Sequence, residues 1–369
     1  MAEQRGESDR VADLLDLHEG RLGIPLLDDT GIRDVLTAAH RIAVIGASAD
    51  PCGRPGPPVM SSSPFLVDPA VAERIARLTA TIGGTFTQQV AASLADGHVL
   101  PNAAVDRMIA TFGLDGPRDA MLLALPVATG LAVPSISGFH VGAVGLEART
   151  GDLILGGNVE FPGLDMGSTI HAEGFVFTRA FSCGTSIAVL ATGEARPCGH
   201  CRQFISEFES SHDLELIDSL GHTLTMSDLY PWPFIPGDLD APGIVGGSLP
   251  WPELALAYPR VPRDVAELLV RTGRHAHAPY SQCPAAIVLR LADGQLIAGA
   301  SIESVAFNPS IGPLQAAIVE LIALDYAYAD IESATLAVVA GGAVDPTHES
   351  RALLAAIAPT ARLTITTWA

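Results

Sequence analysis

An internal repeat restricts the folds open to this chain more than any other feature of its sequence. The repeated positions hold glycine, leucine, glycine and glutamate, and the copies are offset by 143 residues: Gly151, Leu153, Gly156 and Glu160 match Gly294, Leu296, Gly299 and Glu303. In both copies an apolar strand, a glycine-containing hairpin turn and a second strand precede a helix. The sequence therefore predicts two tandem copies of one α/β domain.

Only the first copy contains a metal-binding pattern. His171-Ala172-Glu173 is followed, after 23 residues, by Pro197-Cys198-Gly199-His200-Cys201. The His171 imidazole and the Cys198 and Cys201 thiolates can hold Zn²⁺ through three protein ligands, which leaves the fourth tetrahedral position for water, as in catalytic sites. Glu173 is predicted to carry protons for that water. A structural zinc site would need a fourth ligand close by, and the remaining candidates fall outside the usual paired spacing: Cys183, His200 and His212.

The second copy lacks this pattern. With a slip of one residue, Pro313-Leu314-Gln315 stands where the first copy has His171-Ala172-Glu173. No cysteine occurs between Val338 and Pro346, where the Pro-Cys-x-x-Cys segment should fall. We therefore predict a degenerate second domain that cannot bind zinc in this way and is retained for the architecture of the protein.

Several segments carry a resemblance to a known family. The pattern His-x-Glu followed by Pro-Cys-x-x-Cys resembles that of the zinc nucleobase deaminases, and its flanks resemble more narrowly the cytidine deaminases. The matching segments of the catalytic half are Phe-His-Val-Gly-Ala (139–143), Gly-Asn-Val-Glu-Phe (157–161) and Pro-Cys-Gly-His-Cys-Arg-Gln-Phe (197–204). Those of the second half are Ala-Pro-Tyr-Ser (278–281), Ala-Phe-Asn-Pro (306–309) and Pro-Leu-Gln (313–315). Together they resemble the long, two-domain, bacterial and plant branch of the cytidine and deoxycytidylate deaminase family, over roughly residues 65–369.

The resemblance implies a three-layer α/β/α fold with a mixed sheet, duplicated in tandem and preceded by a small helical region. We expect an N-terminal extension over 1–62, the helical region over 63–125, the catalytic zinc domain over 126–244 and the degenerate domain over 245–369. Helical periodicity supports the second of these, because four apolar residues share one face: Val71, Ile75, Leu78 and Ile82. Two further helices are expected to begin near His171 and Cys198, with their positive ends toward the metal.

The resemblance also implies the activity, which is zinc-dependent hydrolytic deamination of cytidine and deoxycytidine to uridine and deoxyuridine plus ammonia. Asn158 and Glu160 would hold the ribose 3′-hydroxyl, Phe139 would stack on the pyrimidine, and Ala172 would offer backbone groups to the base edge. Alternatively, Asn158 and Glu160 are strand-end groups bonded to nearby backbone, and Phe139 fills the core. A homodimer is implied as well, since two such chains supply the four domains of the tetrameric single-domain members.

Three other functions compete with this interpretation. A polynucleotide-editing deaminase needs a basic groove and aromatic side chains, whereas this chain has a formal charge of −20 and 5% aromatic residues, which disfavours nucleic acid as a partner. A deaminase of another nucleoside or nucleobase would keep the metal ligands but lose the ribose pair Asn158 and Glu160. A non-catalytic zinc-binding scaffold would not need Glu173.

The N-terminal residues predict no further cofactor site. Residues 41–48 form an apolar run before a Pro/Gly-rich stretch, which resembles the first strand and loop of a CoA-binding Rossmann-type domain, but no further βα units follow. The charged start, Met1–Arg10, is unlike a signal peptide. The uncharged stretch Met121–Leu146 is interrupted by prolines and glycine, so we expect no membrane span. Five cysteines, of which two belong to the metal pattern, indicate a reducing compartment and a cytoplasmic protein.

Overall fold

A computed structural model describes residues 65–95, 97–193, 196–257 and 261–369. The segment 1–62, with its CoA-binding-like run at 41–48, lies outside the described residues. Residues 65–369 form one compact unit by their contacts. Within the described ranges, no helix is both long enough and apolar enough to cross a membrane.

The expected helical region consists of three helices, α1 (Pro69–Ser93), α2 (Asn102–Phe112) and α3 (Pro117–Thr129). Ile75 is buried on the predicted face of α1, and its neighbours on that face pack against the core: Val71, Leu78 and Ile82. Asp68 caps α1 by accepting from the backbone nitrogen of Ala70 at 2.9 Å. Helix α3 crosses the expected boundary at 125, and it packs on the first sheet. The last of the three helices is therefore a layer of the catalytic half.

The first sheet has six strands: β1 (Val99–Leu100), β2 (Gly142–Glu147), β3 (Leu153–Gly157), β4 (Ile187–Thr192), β5 (Glu215–Asp218) and β6 (Thr223–Thr225). Their order is β1-β3-β2-β4-β5-β6, and only the β4/β5 pair is parallel. The helices that follow are α4 (Ala172–Ser182), α5 (Gly199–Ile205) and α6 (Met226–Leu229). Short 3₁₀ helices occupy Met166–Ser168, Glu209–Asp213 and Pro236–Leu239.

The second half repeats this arrangement. It contains α7 (Arg263–Gly273), β7 (Ala286–Leu291), β8 (Leu296–Ala300), α8 (Pro313–Ala323), a 3₁₀ helix (Tyr328–Asp330), β9 (Ile331–Val338), α9 (Thr347–Ile357) and β10 (Arg362–Thr367). The order β10-β9-β7-β8, with β9 and β10 parallel, matches β5-β4-β2-β3 of the first sheet. Each central strand has a register irregularity at the equivalent place, after Leu146 and after Arg290. The predicted tandem duplication is confirmed.

The repeated glycines have two physical reasons. Gly151 and Gly294 lie in the hairpin turns with φ of 77° and 90°, a backbone region that glycine enters without a steric penalty. Gly156 and Gly299 lie where the following helix presses on the sheet. A Cβ atom there would come within 2.8 Å of the Phe175 ring or 2.3 Å of the Ala317 nitrogen. The repeated glycines therefore mark two positions in each domain: a tight hairpin turn, and a point where the following helix contacts the sheet closely.

The two halves share one core and have three layers. In the first sheet, Gly142 faces Thr129 of α3 and Gly145 faces Val176 of α4, so the two helices cover opposite faces. Helices α4 and α8 pack against each other, and the largely buried side chains of Arg179 and Glu320 form an ion pair between them. One cluster of buried apolar residues extends through both halves. The predicted α/β/α architecture is confirmed, and the halves are not independent cores.

One detail of the predicted alignment between the copies is wrong. Helix α4 begins after His171 and α8 begins after Gly312, so Gly312 stands in the place of His171. The slip is larger than one residue because the loop 301–312 is two residues shorter than its counterpart 158–171. The consequence for metal binding is unchanged, since Gly312-Pro313-Leu314 offers no side-chain ligand.

Candidate active site

Two helix starts bring the predicted metal ligands together. His171 is the residue before α4 and Cys198 is the residue before α5, as expected. The His171 Nδ1 atom lies 3.4 Å from the Cys198 sulfur and 3.3 Å from the Cys201 sulfur, and the two sulfurs are 3.6 Å apart. Among the residues that the structure describes, this is the one cluster of three or more such groups close enough to share an ion.

The spacing of these atoms fits a tetrahedral zinc ion. Zinc bonds of about 2.3 Å to sulfur and about 2.0–2.1 Å to nitrogen require S···S and N···S separations of about 3.8 and 3.6 Å. The observed separations are within a few tenths of an ångström of these values. The donor set also suits zinc, because two thiolates and one imidazole balance the charge of a divalent ion. The residues present therefore fit the metal.

The local structure favours a thiolate at Cys198, whereas the hydrogen bond to Cys198 and burial raise the pKa of Cys201. Hydrogen bonds from the Cys201 thiol and from His171 lower the pKa of Cys198 to about 3, so that sulfur is readily a thiolate. Arg202 stabilises the loop before α5, since its guanidinium donates to the carbonyl oxygens of Pro197 and Leu229, each at 2.8 Å. Hydrogen bonds of this kind, just outside the predicted ligands, help to fix the orientation of Cys198 and Cys201.

Glu173 lies beside the ligands but in the interior of the protein. Its side chain is 4% exposed, and Oε2 is 3.5 Å from the Cys201 sulfur. Burial raises the pKa of Glu173, because a carboxylate loses hydration there. A carboxyl group with a raised pKa next to a metal-bound water is suited to take up and release a proton.

All of the predicted substrate residues reach the same cavity. It has a volume of about 220 Å³, and its lining includes Phe139, Asn158, Glu160, Ala172 and Glu173 together with His171 and Cys198, while Cys201 lies buried behind them. Phe139 is 59% exposed, so it is not a core residue. Ala172 is the first residue of α4 and is completely buried.

Asn158 and Glu160 also tie down the loop that carries Phe139. The Asn158 amide accepts from Val141 N at 2.8 Å and donates to the Phe139 carbonyl at 3.0 Å. Glu160 accepts from Ile136 N, Ser137 N and Ser137 Oγ at 2.8, 2.8 and 2.6 Å. Burial opposes ionisation, but these hydrogen bonds outweigh it and lower the pKa of Glu160. Both side chains keep one or more free hydrogen-bonding positions, so an anchoring role does not exclude a ligand.

Sequence reasoning missed two residues of the site. Ser137 anchors Glu160, and its signal was available, because Ser281 occupies the equivalent place in the repeat. Glu207 is fully buried and joins the two halves, and no local pattern in the sequence marks it.

The second half reaches the metal-binding region through Glu207. The carboxylate of Glu207 accepts from His277 Nε2 at 2.7 Å, from the Tyr280 hydroxyl and from Val305 N at 2.8 Å. Burial and the hydrogen bond to Glu207 raise the pKa of Tyr280, so its hydroxyl stays protonated and donates to Glu207. Nearby, His200 lies 3.4 Å from the Asn308 carbonyl. These contacts hold the 303–312 loop of the second half against the cysteine-bearing α5.

A His/Cys/Cys cluster beside a glutamate that is not a ligand is the mark of the zinc nucleobase deaminases, and here it lies in a duplicated α/β/α fold. Residues 117–212 and 261–351 each match the family described as "Cytidine and deoxycytidylate deaminase zinc-binding region". A cytidine deaminase of Cronobacter sakazakii is 36% identical over 225 residues, which are 61% of this chain and 74% of that protein. One from Enterobacter sp. strain 638 is 34% identical over 262 residues, 70% of this chain and 86% of that protein. The chain belongs to the cytidine and deoxycytidylate deaminase family.

Among solved structures, cytidine deaminase from Burkholderia pseudomallei is similar to part of the chain. The similarity covers 29% of this chain and 85% of that chain, with 17% sequence identity and a TM-score of 0.26.

Proposed function

We propose that this protein is a zinc-dependent cytidine deaminase, which converts cytidine or deoxycytidine and water into uridine or deoxyuridine and ammonia. The observation that carries the proposal is the placement of buried Glu173 next to the His171, Cys198 and Cys201 cluster, at the floor of the cavity. The family relationship agrees with it, since the two relatives described above, at 34% and 36% identity, are cytidine deaminases.

The residues of the cavity divide the work of this reaction. A zinc ion held by His171, Cys198 and Cys201 would supply a water activated near neutral pH. Glu173 takes one proton from that water and delivers it to N3 of the pyrimidine while the water oxygen bonds to C4. It then takes the remaining proton of the added hydroxyl group and delivers it to the 4-amino group, so that the C4–N bond breaks, ammonia leaves and a C4 carbonyl remains. Phe139 offers an exposed aromatic face at the rim for stacking on the base. Ala172, at the start of α4, offers backbone groups to the base edge, and Asn158 and Glu160 hold the ribose 3′-hydroxyl.

A substrate panel tests the proposal. Ammonia release should be measured with cytidine, deoxycytidine, cytidine monophosphate, cytosine, adenosine and single-stranded DNA. We expect the two nucleosides to be turned over at least tenfold faster than the others. Turnover of adenosine or single-stranded DNA, without turnover of cytidine, would replace the proposal by one of the rival deaminase functions.

The purified protein should contain one zinc ion per chain. The first half supplies three ligands that fit zinc, and the described residues of the second half supply no comparable cluster. Elemental analysis of wild-type protein should give one zinc, and the double variant Cys198→Ala/Cys201→Ala should give none. Two zinc ions per wild-type chain would contradict this assignment, as would zinc retained by the double variant.

Glu160 has two roles in this account, and two variants separate them. Glu160→Ala should raise KM for cytidine while zinc content is unchanged, because it removes both the ribose acceptor and the loop anchor. Ser137→Ala removes only the anchoring hydroxyl, and we expect it to raise KM by a smaller factor. The ribose role is measured by comparing cytidine with a sugar-free analogue. If Glu160→Ala weakens both ligands equally, Glu160 is an anchor and not a ribose ligand.

We also propose that the protein is a cytoplasmic homodimer. Free thiols at Cys183, Cys198, Cys201 and Cys283 agree with a reducing compartment. Large apolar side chains are exposed along the segment that joins the halves: Trp232, Phe234, Ile235, Leu239, Val245 and Leu249. Exposed apolar surface of this kind marks an interaction site, and a second copy of the chain is the simplest symmetric occupant.

Glu207→Gln tests whether the second half positions the active site. The change leaves buried donors from His277, Tyr280 and Val305 without their carboxylate, which should lower stability by about 1–3 kcal/mol. We expect kcat to fall while zinc content stays at one per chain. Glu209→Gln, in an exposed position two residues away, is the matched control and should behave as wild type. If kcat of the folded Glu207→Gln protein is unchanged, these contacts serve stability alone.

A further inference from the structure

The second half contains a cavity at the place that corresponds to the active site of the first half. Its volume is about 460 Å³, against about 220 Å³ for the first cavity. The difference follows from smaller side chains at equivalent positions: Gly312 for His171, Ser301 for Asn158 and Cys283 for Phe139. The larger volume lies within the range of about 300–1,000 Å³ that is usual for small-molecule sites.

The scaffold that holds the proposed ribose acceptor is intact in this second cavity. Glu303 accepts from Tyr280 N and Ser281 N at 3.0 and 3.1 Å, and from the Ser281 hydroxyl. Glu160 is held in the same way by Ile136 and Ser137. Glu303 is half-buried and lines the cavity, whereas Glu160 is 9% exposed. The metal ligands have therefore been lost from this domain while the carboxylate cradle has been kept.

Phe307 lies at the mouth of the cavity in a strained backbone conformation. Phe307 has a φ of 64°, in the left-handed region that a bulky residue rarely adopts, and 66% of it is exposed. Its ring centroid lies 6.1 Å from that of Tyr280, and both residues line the cavity. Strained backbone of this kind is concentrated at ligand sites. An exposed ring next to an open cavity provides a stacking surface for a planar heterocycle.

The charge of the cavity limits the ligand class. Three carboxylates line it, those of Glu303, Asp345 and Glu349, and none of its described lining residues is arginine, lysine or histidine. Hydrogen bonds from Thr347 lower the pKa of Asp345, so this group is ionised near neutral pH. Such a lining accepts hydroxyl donors and repels a phosphate.

We propose that this cavity is a second ligand site, which binds a neutral nucleoside without a metal ion. The carboxylates accept hydrogen bonds from the sugar hydroxyls, and the base stacks on Phe307. The choice of a nucleoside rests on the proposed function, whereas the cavity, its cradle and its charge do not. No chemistry occurs there, because the described residues of this domain supply neither a cluster of metal ligands nor a counterpart of Glu173.

Calorimetric titration with uridine tests the site, because uridine is a nucleoside that the proposed reaction does not consume. The full-length, zinc-loaded protein is used. Ala343→Trp places a large side chain at the exposed mouth of the second cavity, and His348→Trp, exposed but outside the lining, is the matched control. We expect Ala343→Trp to bind one uridine fewer per chain than wild type, with kcat for cytidine unchanged, and His348→Trp to bind as many as wild type.

A charge reversal provides a second measurement that does not depend on filling the cavity. Glu349→Arg, at an exposed position on α9, should let the chain bind one more uridine 5′-monophosphate than wild type. The proposal is overturned if Ala343→Trp binds as much uridine as wild type, or if folded Glu349→Arg gains no monophosphate. Ammonia release from cytidine reports on the proposed function separately, so that either idea can fail while the other stands.

Discussion

Glu173→Ala should lower kcat for cytidine by about 10²–10⁴-fold, the usual contribution of a general acid–base group. The carboxylate is buried beside the predicted metal ligands, and the other carboxylate of the cavity, Glu160, already accepts hydrogen bonds from Ile136 and Ser137. Alanine fits the position without a clash and leaves His171, Cys198 and Cys201 in place. We therefore expect zinc content and the thermal unfolding curve to be close to those of wild type.

Glu173→Gln is the matched control for this variant. It preserves the size of the side chain and its ability to accept a hydrogen bond, but it cannot exchange a proton in the same way. If proton transfer is the role of Glu173, glutamine should be nearly as inactive as alanine. Activity of either variant within tenfold of wild type, with zinc still bound, would remove Glu173 from the mechanism.

Deleting residues 245–369 should abolish activity, although every predicted zinc ligand and substrate residue remains. Helix α8 packs on α4, which begins directly after His171, and four residues of α8 belong to the core that the two halves share: Leu314, Ala317, Ile318 and Leu321. Deletion exposes the surface of α4 that α8 covers and leaves Arg179 and Glu207 without their partners. The loss of several buried residues, at about 1.5–3 kcal/mol each, exceeds what a domain of this size can tolerate.

Removal of residues 1–60 is the matched control for this deletion. Residues 65–369 have their own shared core, so the shorter protein should keep activity and form the proposed dimer. Gel filtration with light scattering gives the mass of each species, and ammonia release gives its activity. An active monomer containing only residues 61–245 would contradict both the positioning role of the second half and the homodimer.

The fold was largely predictable because the internal repeat retains glycines at positions where the backbone needs them. Gly151 and Gly294 are needed at positive φ, and Gly156 and Gly299 are needed where a helix touches the sheet, so they persist in both copies. The exact alignment of the two helix starts, His171 and Gly312, could not be read from the sequence, because no residue type marks where the loop of the second copy is two residues shorter. The sequence also did not show that α3 packs on the first sheet, because helical periodicity does not reveal what a helix packs against.

The metal ligands were predictable because their spacing is local. His171 and Cys198 each precede a helix, and Cys201 lies in the first turn of the second helix, so each part of the pattern is visible in a short segment of sequence. Contacts between the halves could not be read in this way. Glu207 meets His277 and Tyr280 only because two domains pack together, and a buried glutamate in the sequence resembles any surface glutamate. The anchoring of Glu160 by Ser137 could be inferred only by comparing the two copies, because the second copy has the equivalent pair, Ser281 and Glu303.

The most direct test of the central claim is to measure product formation from cytidine together with metal content in one preparation. Zinc-loaded protein, with one zinc per chain, should form uridine and ammonia in equal amounts. A chelator should stop the reaction as the zinc is removed, and added zinc should restore it, whereas Cys198→Ala/Cys201→Ala should be inactive under every condition. Protein that holds one zinc per chain at this site and releases no ammonia from cytidine would contradict the account.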